Sequence, residues 1–129
     1  MKTELVYLAW SAMLTGVLWL PYATNRVQVW GLKATVGYPK NPKPLAPWAE
    51  RLKKAHYNSV ENLVVFAALV LAAHALNKLD AATSASAAVY FWSRLAYAAV
   101  YAAALPWLRT IAFTVAWLAC VCIFYQIVR

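Results

Sequence analysis

Charge is scarce in this chain, and so is glycine. Of its 129 residues only 12% are charged and three are glycine, against about 25% charged in an ordinary globular protein. So little charge excludes a disordered polyelectrolyte and a conventional cytosolic enzyme. Only two cysteines are present, which excludes a small scaffold stapled by disulfides. They are Cys120 and Cys122, and on a helix two positions apart they point about 200° from one another. They therefore make neither a mutual disulfide nor a metal pair, and read as buried thiols. Nowhere does the chain carry a nucleophile–base pair, a phosphate loop, a glycine-rich dinucleotide loop or a metal-ligand spacing.

Apolar residues are what the chain has in excess, at 64% against about 45–50% in globular domains. Alanine alone takes 26 positions, so the excess forms helix rather than turn. One modest domain with this composition is a polytopic membrane protein.

The formal net charge is +8, and its distribution decides what it means. Arg26, Lys33, Lys40, Lys43, Arg51, Lys53 and Lys54 all fall in one stretch between two apolar blocks. A basic link flanked by spans is the positive-inside signal, and it attracts anionic headgroups. Nothing resembles a nucleic-acid recognition module.

Residues 5–23 carry no charge and are long enough to cross about 30 Å of hydrocarbon. With no A-x-A cleavage site, and with Pro21-Tyr22 where small residues are needed, they read as an uncleaved span rather than a signal peptide. Residues 24–54 hold Pro39, Pro42, Pro44 and Pro47 and predict an irregular cytoplasmic loop, with a helix restarting near Pro47. Further spans are expected at about 56–76, 82–105 and 111–128, the last after a break at Pro106–Arg109. The expectation is an all-α membrane protein, one domain over 1–129, folded as a four-helix antiparallel bundle. The first and third links hold eight Lys/Arg and the opposite side only Lys2, Lys78 and Arg129, which puts both termini on the non-cytoplasmic side.

Two charges fall inside spans, Glu61 and Arg94. An unpaired charge at the centre of a membrane helix costs at least about 2.5–3.5 kcal/mol, so such residues face a bundle interior or a wet cavity. Tyr90, Arg94, Tyr97 and Tyr101 are spaced by four, three and four residues and fall on one helical stripe about 60° wide. Arg51, Asn58 and Glu61 share a face of the preceding span, with Asn62 at its edge. Glu61 is positioned to accept from Arg94 or from a ligand ammonium, and the competing reading is a purely architectural ion pair. Arg109, after a proline, reads by itself as a snorkelling positive-inside residue. His56 and His74 read as packing residues rather than metal ligands.

The run Arg51-Leu-Lys-Lys-Ala-His-Tyr-Asn58-Ser-Val-Glu61-Asn62 resembles a signature of the MAPEG family, the membrane-associated proteins in eicosanoid and glutathione metabolism. Arg94-x-x-Tyr97-x-x-x-Tyr101 followed by Pro106-x-x-Arg109-Thr110 is similar to it as well, and the resemblance spans nearly the whole chain. It implies a homotrimer with glutathione as co-substrate between neighbouring subunits near the cytoplasmic side. Asn58 and Glu61 would then hold the γ-glutamyl end, and Arg94, Tyr97 and Tyr101 would line the same cleft. Arg51 counts with these binding residues, Arg26 would contact a carboxylate or the sulfur, and Arg109 would face the sulfur. Lys54, Tyr57, Tyr97 and Phe113 depart from the best-known eukaryotic members, which points away from the specialised eicosanoid reactions. The brevity of the chain resembles a bacterial member, in the inner membrane.

The resemblance implies a glutathione transferase or peroxidase for lipophilic electrophiles or lipid hydroperoxides, with no metal. Arginines suit carboxylates, Glu61 suits an ammonium, and a guanidinium beside a thiol favours thiolate. A non-catalytic lipid- or glutathione-binding protein of the same fold is the alternative. A transporter needs a polar path across the bilayer, and the polar groups here cluster in one half.

Overall fold

The computed structural model of the chain describes residues 2–129, and the regular structure among them is entirely helical. Six helices follow in order among the described residues: α1 Thr3–Val17, α2 Trp19–Trp30, α3 Leu32–Val36, α4 Pro47–Ala75, α5 Ala81–Ala102 and α6 Pro106–Val128. Helices α1 and α2 run on from one another through Leu18, which keeps right-handed helical angles. The joint has a local cause. Pro21 has no N–H to give the carbonyl four residues back, at Val17, so the ladder is interrupted there without ending the rod.

The first span therefore extends past residue 23, to Trp30, where Gly31 at φ 83° stops it. The loop expected over 24–54 is correspondingly shorter. Its irregular part is 37–46, where three prolines forbid a regular helix. Two hydrogen bonds tie this segment down: Asn25 Oδ1 accepts from Ala46 N at 2.9 Å and Glu50 Oε1 from Leu45 N at 3.2 Å. Pro47 then opens α4 and Pro106 opens α6, each in the first helical turn, where a missing N–H costs nothing. The last helix consequently starts five residues earlier than expected, and Arg109 stands on its first turn rather than in a break.

Both turns between the later helices close with the same device. Lys78 N bonds to Ala73 O at 2.8 Å and Asn77 N to His74 O at 3.2 Å, with Asn77 left-handed at φ 55°. At the other end Leu105 N bonds to Val100 O at 3.0 Å and Ala104 N to Tyr101 O at 3.1 Å, with Ala104 at φ 63°. These are paired 6→1 and 5→2 bonds around a left-handed residue, the Schellman arrangement. Asp80 caps α5 in a reciprocal box with Thr83.

Three stretches among the described residues are long and apolar enough to cross a membrane: Thr3–Trp30, Pro47–Ala75 and Pro106–Val128. Helix α5 is not one of them, because serines, tyrosines and Arg94 lower its hydropathy. It packs against α1, α4 and α6, and its polar stripe is turned inward: Thr83, Ser86, Tyr90, Arg94 and Tyr97 are all buried. The core between α4, α5 and α6 is built from Phe66, Val70, Ala73, Ala87, Tyr90, Ala116, Ala119, Cys120 and Ile123. Its alanines let the helices approach closely, and Phe66 stacks on Tyr90 at 3.8 Å between centroids.

Candidate functional site

The α5 stripe begins in this core and climbs toward the end of the molecule that carries the 31–46 segment. Tyr90 is spent on Phe66. One turn on, Arg94 is 3% exposed and lies over the Tyr97 ring, its Cζ 4.2 Å from the centroid. Tyr97 meets Tyr101 edge to face at 5.5 Å, and Arg109 of α6 lies over Tyr101 at 4.8 Å. Two paired phenols thus lie between two guanidiniums along the seam between α5 and α6, each cation held against a ring face.

Arg94 does not reach Glu61. Its Nη2 donates to Asn58 Oδ1 at 2.7 Å and to Ser59 Oγ at 3.0 Å, while Nε and Nη1 are buried without a partner. Of the two partners open to Glu61, Arg94 is thus taken within the chain by others: on α4 it is Asn58 and Ser59 that face α5. Helix geometry explains this, since Glu61 lies about 110° around α4 from the midpoint of those two residues. Glu61 is exposed on the single chain, with Val60, Val64 and Val65 exposed beside it. Asn62 Nδ2 steadies the Asn58 amide, donating to Asn58 O at 2.9 Å and Oδ1 at 3.2 Å.

Above this buried network a cleft of about 210 Å³ opens, lined by Arg51, Tyr101, Ala104, Leu105, Pro106 and Arg109. Arg51 is held from the α4 side, its Nε donating to Ala102 O at 3.0 Å. Among the described residues no carboxylate lines the cleft. Two guanidiniums and a phenol with no internal counter-ion make a receptor for anions.

Arg26 is placed elsewhere. It sits on α2 over Tyr22 at 5.8 Å and Trp30 at 5.2 Å, with Nε buried and unpartnered. The structure thus gathers Arg51, Tyr101 and Arg109 in the cleft, sets Asn58, Arg94 and Tyr97 beneath it, and leaves Glu61 and Arg26 outside both groups.

Across the described chain, residues 7–129 match the sequence model of the MAPEG family. The chain belongs to the MAPEG family. No curated protein and no solved structure gives a significant match. Membership in MAPEG, a family that includes glutathione transferases and related proteins, agrees with the three apolar helices in marking an integral membrane protein. In this MAPEG chain the sequence reading passed over Ser59, whose burial at lipid depth next to Asn58 is its only signal. It also passed over the bond between Tyr22 Oη and His56 Nδ1 at 2.7 Å, which ties α2 to α4. Glu4 was missed too: it is 3% exposed and accepts from Thr83 Oγ1 at 2.6 Å. It stands just ahead of the first apolar run, where nothing local in the sequence distinguishes it from a flanking charge. Cys120 and Cys122 are free, the first buried and the second half-buried.

Proposed function

We propose that this MAPEG protein is a glutathione-dependent transferase or peroxidase, working as a homotrimer of four-span protomers. The observation that carries the reading is the cleft between the ends of α4, α5 and α6, where Arg51, Tyr101 and Arg109 converge without a carboxylate. Glutathione brings carboxylates and a thiol that must ionise, and this donor set suits one carboxylate and the sulfur. Arg51 offers a forked contact for a carboxylate. Arg109, held over Tyr101, puts positive charge where a sulfur can lose its proton. The ammonium needs the opposite sign, and Glu61 on the exposed face of α4 is the acid available to it.

The thiolate then attacks a lipophilic electrophile reaching the cleft from the bilayer. A carbon–sulfur bond forms and the leaving group departs with its electron pair. With a lipid hydroperoxide, sulfur attacks the distal oxygen, releasing the lipid alcohol and leaving a sulfenic acid. A second glutathione converts that acid to the disulfide and water. Positive-inside counting supports a cytoplasmic side for the cleft, with both termini opposite.

Mixing the purified protein with glutathione tests the reading. The expected result is an ultraviolet thiolate band, with turnover of generic lipophilic electrophiles or hydroperoxides. Binding without thiolate or turnover assigns the chain to a non-catalytic binding role. Absence of binding refutes both.

A further inference from the structure

The segment between α2 and α4 offers a surface that the thiol chemistry does not use. Trp30 ends α2, and its Nε1 donates to Lys43 O at 2.6 Å. That bond folds 31–43 into a loop closed at its base, with α3 inside it. Leu32 and Val36 stand one helical turn apart on α3 and are 66% and 76% exposed. Tyr38 beyond them is fully exposed. Helix α3 is too short for its apolar face to be left over from a span.

Depth says what covers it. Thr3–Trp30 is 28 residues long, or about 42 Å at 1.5 Å per residue. That equals the hydrocarbon core plus headgroup layers, about 40–45 Å in all. The rod thus ends at the headgroup layer, and a segment closed back on its end by the Trp30–Lys43 bond is held within reach of the headgroups. Trp48 and Trp107, exposed at the same end of α4 and α6, fit the aromatic belt of that layer.

Charge says which headgroups. Lys33, Lys40 and Lys43 are exposed on this loop and none has an ion-pair partner among the described residues. The chain holds four acidic residues in all. Glu4 and Asp80 are engaged around Thr83 at the far end of the rods, Glu50 accepts from Leu45 N, and Glu61 lies deeper in α4. We infer that α3 and its flanking lysines form an interfacial anchor for anionic phospholipid. Leu32, Val36 and Tyr38 enter the boundary between headgroups and acyl chains, and the three lysines hold the lipid phosphates.

Hydrogen exchange on the unmodified full chain, in nanodiscs of phosphatidylcholine alone or with phosphatidylglycerol added, reads this directly. The α3 amides are expected to exchange at least about fivefold more slowly with phosphatidylglycerol, the worth of one lysine near an anionic surface. The capped start of α5 should not change. The Lys33→Gln/Lys40→Gln/Lys43→Gln variant is expected to lose the difference, and so is Val36→Asp, neither of which alters a spanning helix. Equal exchange in the two lipids overturns the inference. Slowing by inorganic phosphate in pure phosphatidylcholine also overturns it, in favour of a free-anion site. Protection already complete in detergent micelles overturns it in favour of a neighbouring copy covering α3.

Discussion

Arg94 and Arg109 stand on the same seam with different duties. Arg109 is half-buried at the cleft, where its charge can act on a bound sulfur. Arg109→Ala is expected to lower kcat by about 10²–10³-fold, the usual effect of deleting one electrostatic stabiliser. Most of the glutathione affinity should survive, since Arg51 remains. Steady-state kinetics beside a direct binding measurement check this, and unchanged kcat removes Arg109 from the chemistry. Arg94 is sealed beneath the cleft and acts through the Asn58 amide that it holds at 2.7 Å. Lysine keeps the charge and loses the fork, so Arg94→Lys leaves Asn58 and Ser59 without their donor geometry. The expected cost is about 1–3 kcal/mol of stability, with KM for glutathione raised and kcat little changed. A fall in kcat at constant KM would mean that Arg94 itself meets the reacting atoms.

At the level of elements, the turn from α5 to α6 is strained where it lines the cleft. Ala104 is left-handed at φ 63°, a conformation costing a residue with Cβ roughly 1–2 kcal/mol. Ala104→Gly relieves it while adding freedom to the unfolded chain, so a net gain of about 1 kcal/mol is expected. Denaturant unfolding in detergent measures it, and a loss would show that the alanine methyl packs in the native turn. This turn also shows what a sequence can display. Pro106 and the three-and-four spacing along α5 are local patterns, and both the start of α6 and the inward stripe follow from them. Pro21 says little either way, because a proline interrupts one bond of a rod without saying whether the neighbours hold it straight. The polar residues Thr24, Asn25 and Arg26 end the hydropathy signal while the helix continues to Trp30, with Asn25 buried against the segment ahead of α4. Which α4 residues meet Arg94 is not local at all. It depends on how α4 is rotated against α5, a matter of alanine packing over the whole contact, and a rotation of about 110° separates Glu61 from the pairing its charge invites.

For the molecule as a whole, the unmatched feature is Glu61. It projects from a spanning helix among exposed valines and has no ion-pair partner among the described residues. A charge in that position is too costly to leave facing lipid, and in the proposed assembly that face meets another copy or a ligand held between copies. The two cases separate on one substitution. Gln keeps the size and hydrogen-bonding capacity of Glu61 and removes its charge. If the carboxylate meets the ammonium of glutathione, Glu61→Gln weakens glutathione binding by about 10–100-fold, the worth of a charge-assisted hydrogen bond, and the trimer persists. If it instead pairs with a cation of a neighbouring subunit, the variant leaves that cation buried and alone, and the assembly dissociates. Sedimentation in detergent with calorimetric titration of glutathione reads both quantities on one sample. The expectation is an intact trimer with weakened binding, because the anion-receiving cleft at the end of α4 supplies only half of what a zwitterionic peptide requires.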